Sequence, residues 1–206
     1  MRIDKSITYC NGYYTYRNFV TLCDEDLLMI LTWRNHPAIR KCMNNTGCIE
    51  IQSHLNFCHN LKYRDDVSYW LIYRHEQPIG VLNIIDIDYE RKTCEPGFYL
   101  SPEVMGCGEA IFVLSNYKDF LFHKLGFCSL VGHNYVENKP ALIFTMFFGA
   151  KITGVKIIND RRCIESVLTK DSFINGLGTP RLIAKYTKFY REWDLENEIQ
   201  KYENES

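Results

Sequence analysis

The chain has 206 residues, of which 46% are hydrophobic and 24% charged, with a formal net charge of -1 at pH 7. That length suits one domain with an appended tail, and the composition suits an ordinary globular core. A near-neutral balance with scattered basic residues excludes the electrostatic footprint of a DNA, RNA or anionic-membrane binder, and no stretch is apolar and long enough to span a bilayer.

Tyr13 to Leu22 reads as a strand, rich in aromatic and β-branched residues. Asp24 is placed to cap a helix running to about Trp33, with Leu27, Leu28, Ile30 and Leu31 as its apolar face. The helix stops near Asn35-His36-Pro37, as a proline requires of the residue before it. A second helix holds His54, Leu55, Phe57, Cys58 and Leu61 behind a cap such as Ser53. The period then changes. Tyr69 to Arg74 and Ile79 to Asp88 are strand-like, joined by a turn at His75-Glu76-Gln77-Pro78, and Thr93 to Leu100 is a third strand of an antiparallel meander. Beyond Gly106 and Gly108, apolar residues at Ala110, Val113, Leu114, Tyr117 and Leu121 form a helical stripe. Cys128 to Tyr135 reads as a strand, and Pro140 to Phe148 as a helix with its proline in the first turn. Ala150 to Ile158 and Arg161 to Thr169 are the last strands, with Asn159-Asp160 between them. The expected class is α/β (α+β): a mixed, mostly antiparallel twisted sheet flanked by helices, over residues 1–175. Residues 176–206 are expected to be a charged C-terminal extension.

The nine cysteines form no C-x-x-C pair, and the N-terminus lacks the apolar core and cleavage site of a secretory signal. Reduced, mostly buried thiols in a cytoplasmic protein are expected, with no metal site.

The segment from Glu95 to Ala110 carries the clearest chemical signal. Gly106 and Gly108 let the backbone turn tightly and approach a ligand. The amides of the helix that follows can hold an anion, aided by the helix dipole. No G-K-[S/T] follows, so this is not a nucleotide-triphosphate loop, and Ile111 breaks the dinucleotide pattern G-x-G-x-x-G. A glycine-bearing connection that binds nothing is the alternative.

This strand, loop and helix resemble the pyrophosphate loop of the GNAT superfamily of acyl-CoA-dependent N-acetyltransferases, written Q/R-x-x-G-x-G/A. Here it runs Glu103-Val104-Met105-Gly106-Cys107-Gly108, with Glu103 in place of the usual Gln or Arg. Asn138-Lys139-Pro140-Ala141-Leu142-Ile143-Phe144 followed by Phe148-Gly149-Ala150 is similar to the family's second landmark. Trp33-Arg34-Asn35-His36-Pro37, Met43, Ile51, His54-Leu55-x-Phe57 and Leu61 are similar to the acetyltransferases of pseudaminic acid biosynthesis. So are Ile79-Gly80-Val81 and Cys94-Glu95-Pro96-Gly97-Phe98-Tyr99.

The resemblance implies acetyl transfer from acetyl-CoA to the 4-amino group of a UDP-linked amino-dideoxy sugar, by direct attack, for bacterial surface glycan or flagellin glycosylation. Acetyl-CoA is the implied cosubstrate. It would be bound by Phe98, Tyr99, Leu100, Met105, Gly106, Cys107, Gly108, Glu109, Ala110 and Asn138. Arg34, Met43, His54 and Tyr99 fall on the nucleotide-sugar side. The alternatives for these four are a helix-end cation, core filler, a solvated helix residue and a sheet-packing ring. The usual acid is a Tyr seven positions after the landmark Asn; here that position is Thr145. Tyr135 could supply a hydroxyl instead, and a water chain ending on His133 or Glu137 could take the amine's proton. Two other readings stay open: a GNAT enzyme acting on a protein N-terminus or another amine, and an inactive CoA-binding module. No nucleic acid or membrane partner is expected, and an exposed strand edge offers a surface for a homodimer.

Overall fold

A computed structural model describes residues 2–158, 160–173 and 179–205. The chain forms two compact units, one of Met1–Glu90 with Pro96–Tyr117 and one of Arg91–Glu95 with Lys118–Ser206.

The first unit holds strands β1 (Tyr9–Asn11), β2 (Tyr14–Asn18), β3 (Ser68–Arg74) and β4 (Gln77–Asp88), with the later half of β5 (Thr93–Leu100). They neighbour one another in chain order. The ladders of β1–β2, β2–β3 and β3–β4 are antiparallel, with Tyr16 opposite Ile72 and Trp70 opposite Leu82. Helices α1 (Asp24–Asn35), α2 (Pro37–Arg40), α3 (Ile51–Asn60) and most of α4 (Glu109–Asp119) complete it. Along β2 the odd and even residues separate: Tyr14, Tyr16 and Asn18 are buried, and Arg17 is exposed. The core gathers Phe19, Leu27, Ile30, Trp33, Leu61, Leu71 and Val81.

Five boundaries differ from the sequence reading for local reasons. The single strand expected over Tyr13 to Leu22 is shorter, because the Asn18 side chain accepts from the Val20 amide and turns Phe19–Thr21 into a 3₁₀ turn. A hairpin precedes it, with Gly12 at φ 60. The cap of α1 is Cys23, with no side-chain bond, so Asp24, Glu25 and Asp26 fill its first turn, where carboxylates favour the dipole. Pro37 does not only stop α1. It starts α2, with His36 Nδ1 accepting from the Ala38 amide at 3.3 Å. The start of α3 is Ile51 behind Glu50, ahead of Ser53. His75 and Glu76 alone make the β3–β4 turn, at φ 46 and 64.

The second unit holds the start of β5 with β6 (Ser129–Tyr135), β7 (Lys151–Ile158) and β8 (Arg161–Thr169), in the order β5-β6-β8-β7. The β5–β6 ladder is parallel and pairs Thr93 with Ser129 and Cys94 with Leu130; β6–β8 and β7–β8 are antiparallel. The end of α4 widens into a π turn over Phe120–Lys124, where Phe120, Leu121 and Phe122 are buried. Helix α5 (Lys139–Phe147) follows β6. Of the expected Asn159-Asp160 turn, Asn159 lies outside the described residues and Asp160 sits at φ 58.

The charged C-terminal stretch forms α6 (Thr179–Glu192) and α7 (Leu195–Glu205). Its apolar residues pack: Ile199 is buried with Leu142, Met146 and Ile164, and Phe189, Trp193 and Leu195 lie against them. The Tyr202 hydroxyl donates to the Thr153 carbonyl at 2.9 Å. The fold is the expected mixed α/β class, a mostly antiparallel sheet with helices. Among the described residues no helix is long and apolar enough to cross a membrane.

Gly80 on β4 shows how closely β4 and β5 approach. A Cβ there would lie 2.5 Å from the Tyr99 carbonyl oxygen, a backbone atom. Gly80→Ala is expected to lower unfolding free energy by about 1–3 kcal/mol in urea titration. A loss under about 0.5 kcal/mol, the usual size for an uncrowded surface change, would show that the strands yield freely.

Candidate functional site

The glycine turn lies in the first unit, between β5 and α4. Gly106 and Gly108 have φ of 81 and 80, which L side chains rarely adopt. No atom lies within 4 Å of where a Cβ would stand on either. The turn is tightened by the Val104 and Met105 amides on the Ser101 carbonyl, at 3.0 and 3.1 Å. Met105 and Cys107 are exposed. Helix α4 then starts at Glu109, and the amides of its first turn have no intrahelical acceptor. Open space, two left-handed glycines and a helix start together fit an anion such as a pyrophosphate. The Glu109 side chain, in contrast, is buried against Tyr14 and Arg74, so it offers nothing to a phosphate. Glu103 is held below the usual carboxylate range by hydrogen bonding to its own backbone amide and to Ser101. It stays charged and cannot replace the family's Gln or Arg as a donor.

Four residues expected on the substrate side also fall in this unit. Arg34, in the last turn of α1, donates from Nη2 to the Asn45 carbonyl at 2.9 Å, while its Nη1 is buried without a partner. Burial pulls its pKa down. Its hydrogen bond thus goes to the following loop. Met43 packs against the core, as the filler alternative expects. His54 is 6% exposed and so is not a solvated helix residue. Its Nε2 lies 2.9 Å from the Leu27 carbonyl, joining α3 to α1, and burial pulls its pKa down. Tyr99 packs beside the same core, and burial pushes its phenol well up, so it remains protonated. Phe98 is partly buried and Leu100 buried on β5, and the next amide, Ser101, bonds to the Ile79 carbonyl at 2.8 Å.

The second unit brings a histidine between two carboxylates, which the sequence reading did not foresee. His133 on β6 bonds through Nδ1 to Glu95 at 2.6 Å and through Nε2 to Glu165 at 3.3 Å. The register explains half of this, since Glu165 on β8 stands opposite His133. Lys156 adds a bond to Glu165 at 2.9 Å. Burial opposes the imidazolium, but the bonds and charges of Glu95 and Glu165 outweigh it and raise the His133 pKa. Lys156, then burial in opposition, then His133 act on Glu165, and its pKa falls. Glu137, the other candidate end of a water chain, is exposed and paired with Arg161 at 3.2 Å.

Tyr135 is buried, with the Arg161 guanidinium 3.7 Å from its ring centroid. Asn138 caps α5 through its backbone, its side chain making no cap bond, while its amide bonds to the Tyr135 carbonyl at 2.9 Å. Thr145 is half-buried on α5. No cluster of three or more His, Cys, Asp or Glu among the described residues is arranged to hold a metal. Glu95 was within reach of the sequence reading, but its partner lies 38 residues away in the chain, and only the sheet register reveals the pair.

No protein-family model matches the chain. Among curated proteins it is similar to the acetyltransferase PseH of Campylobacter jejuni serotype O:2, 32% identical over 126 residues, which cover 61% of this chain and 77% of that protein. Among solved structures it is similar to the C. jejuni N-acetyltransferase PseH in complex with acetyl coenzyme A, with a TM-score of 0.60, 22% identity, and coverage of 76% of this chain and 99% of that one. A spermidine N-acetyltransferase from Vibrio cholerae in complex with CoA and spermine gives a TM-score of 0.66 at 21% identity, covering 79% and 98%.

The raised His133 pKa gives a pH test. A group whose folded pKa lies above its unfolded value adds stability below the unfolded pKa, near 6.5, and loses it as pH rises through the folded value. NMR titration of His133 is expected to give a midpoint above about 6.5, and Glu95→Gln to bring it down. A midpoint that Glu95→Gln leaves in place would mean the short Glu95 contact does not form in solution.

Proposed function

Because the chain belongs to the PseH acetyltransferases of the GNAT superfamily, we propose that its acceptor is the 4-amino group of a UDP-linked amino-dideoxy sugar. The activity itself is acetyl-CoA-dependent N-acetyl transfer. The observation that carries the acceptor is the 32% identity to PseH across most of that protein. The spermidine N-acetyltransferase, at 21% identity, shares the fold alone.

In this reading acetyl-CoA enters as a substrate with its pyrophosphate on the turn at Gly106 and Gly108. The amides opening α4 supply N–H donors and the positive end of the dipole. The backbone of Phe98 to Leu100 hydrogen-bonds the pantetheine arm. Arg34 and Tyr99 face the nucleotide sugar, while Met43 and His54 shape that side by packing. The sugar amine attacks the thioester carbon as a neutral nucleophile. With an α-amino group as guide, its pKa is about 7.7–8.0, so a sizeable fraction is neutral near pH 7.5. Within the second unit the candidate base is His133, whose imidazolium Glu95 and Glu165 stabilise. The base form of His133 therefore grows in at a higher pH than that of a free imidazole, and turnover rises with it.

The departing thiolate has a pKa near 8.5, close enough to neutrality to leave as an anion. A hydroxyl acid is then a modest aid, worth about 10²–10⁴-fold where present. Thr145 stands where the family has its Tyr, and Tyr135 is the nearest hydroxyl in sequence on β6. A cytoplasmic reaction is part of this reading, with acetyl-CoA as the cosubstrate.

Thiol release from acetyl-CoA, screened over UDP- and TDP-linked amino sugars, short peptides and polyamines, tests the acceptor. Turnover is expected with a UDP-linked 4-amino sugar at least tenfold above the rest, a margin of about 1.4 kcal/mol in transition-state binding. Release with peptides or polyamines alone would defeat the sugar reading. CoA binding without release for any amine would support a module that only binds.

A further inference from the structure

Glu109 is the first residue of α4, yet its carboxylate is turned into the protein. The residue is 8% exposed. Its Oε1 accepts from the Tyr14 hydroxyl at 2.6 Å, and its Oε2 accepts from Arg74 Nη1 at 2.7 Å. Burial, and then the bond to Glu109, push the Tyr14 phenol well above its ordinary range, so it remains a donor. Strands β1 and β2 also hold the helix two turns further on, both at Asn116. Asn11 Nδ2 donates to the Asn116 carbonyl at 3.0 Å, and the Tyr16 hydroxyl bonds to the Asn116 side chain.

A buried carboxylate without a partner is costly, and one beside an anion-binding turn carries a second cost. Its charge opposes the phosphates that the helix dipole would attract. Arg74, at the end of β3, is the cation bonded to it, and it is half exposed where Glu109 is not. We propose that Arg74 is a positioning residue for CoA. By pairing with Glu109 it cancels the negative charge at the head of α4. Together with Tyr14 it fixes the helix start from which the Gly106–Gly108 turn meets the pyrophosphate. The inference rests on the acetyl-CoA reading above and adds two residues to it, Tyr14 and Arg74, which act through Glu109 rather than on the nucleotide.

Calorimetric binding of CoA to the full chain tests this at low and high salt. Arg74→Gln is expected to weaken CoA binding about tenfold at low salt, the size of a strong partly buried charge at a helix end. Two readouts separate charge from mere structure. Adding Glu109→Gln to Arg74→Gln is expected to restore affinity to within about threefold. High salt is expected to shrink the Arg74→Gln deficit, because it screens the exposed repulsion. Tyr14→Phe, which keeps the ring and removes only the donor, is expected to weaken binding about threefold with the fold retained. Binding unchanged in Arg74→Gln would overturn the proposal. So would a double variant as weak as the single one, or a deficit indifferent to salt. If the unsubstituted protein fails to bind CoA, the acetyl-CoA reading itself falls, a different outcome from a normal parent with silent variants.

Discussion

Helix α4 opens on a buried carboxylate, and the first unit is arranged around that constraint. An ionised side chain held out of water needs donors placed before it arrives. Two neighbouring strands supply them, Tyr14 from β2 and Arg74 from β3. The antiparallel register sets Tyr14 opposite Arg74, so one ladder position furnishes both partners. A slip of one residue along β2 would turn Tyr14 and Tyr16 out of the core and strand Glu109 and Asn116 together. With the helix start fixed, the chain has few residues in which to turn from β5 into α4. Two glycines at positive φ accomplish this.

The second unit solves a related problem with the opposite sign. A partly exposed histidine is held by two carboxylates, and a lysine balances one of them. Gly154 leaves room for this group. A Cβ there would lie 2.7 Å from Glu165 Oε2. The arrangement makes His133 a stronger base than a free imidazole and sets its working range higher in pH. In the proposed chemistry that suits the removal of a proton from an amine whose own pKa is near 8.

Much of the frame was legible because its signals are local. The strand Thr93 to Leu100 and the helix after Gly108 follow from periodicity and glycine placement. The Arg34 to Leu61 stretch pointed to the family on residue identity. What was missed depends on contacts distant in sequence. Nothing near Glu109 indicates that it faces inward, because Arg74 lies 35 residues away and Tyr14 95. For His54 the sequence leaves open a nucleotide-sugar contact and a solvated helix position; the bond to the Leu27 carbonyl, on another helix, makes it an internal tie. The charged C-terminal stretch hid its structure for a different reason. Its apolar residues are sparse, so the composition reads as solvated, yet Ile199 and Trp193 fall where they meet α5.

The glycine turn is the proposed seat of the acetyl-CoA diphosphate. The most direct measurement is the dissociation constant of acetyl-CoA for Gly108→Ala beside the parent chain. A methyl group at φ 80 would strain the turn and fill space that no protein atom occupies. Binding is expected to weaken tenfold or more, about 1.4 kcal/mol or above, with folding retained. Equal affinity in the two proteins would contradict it and move the nucleotide elsewhere.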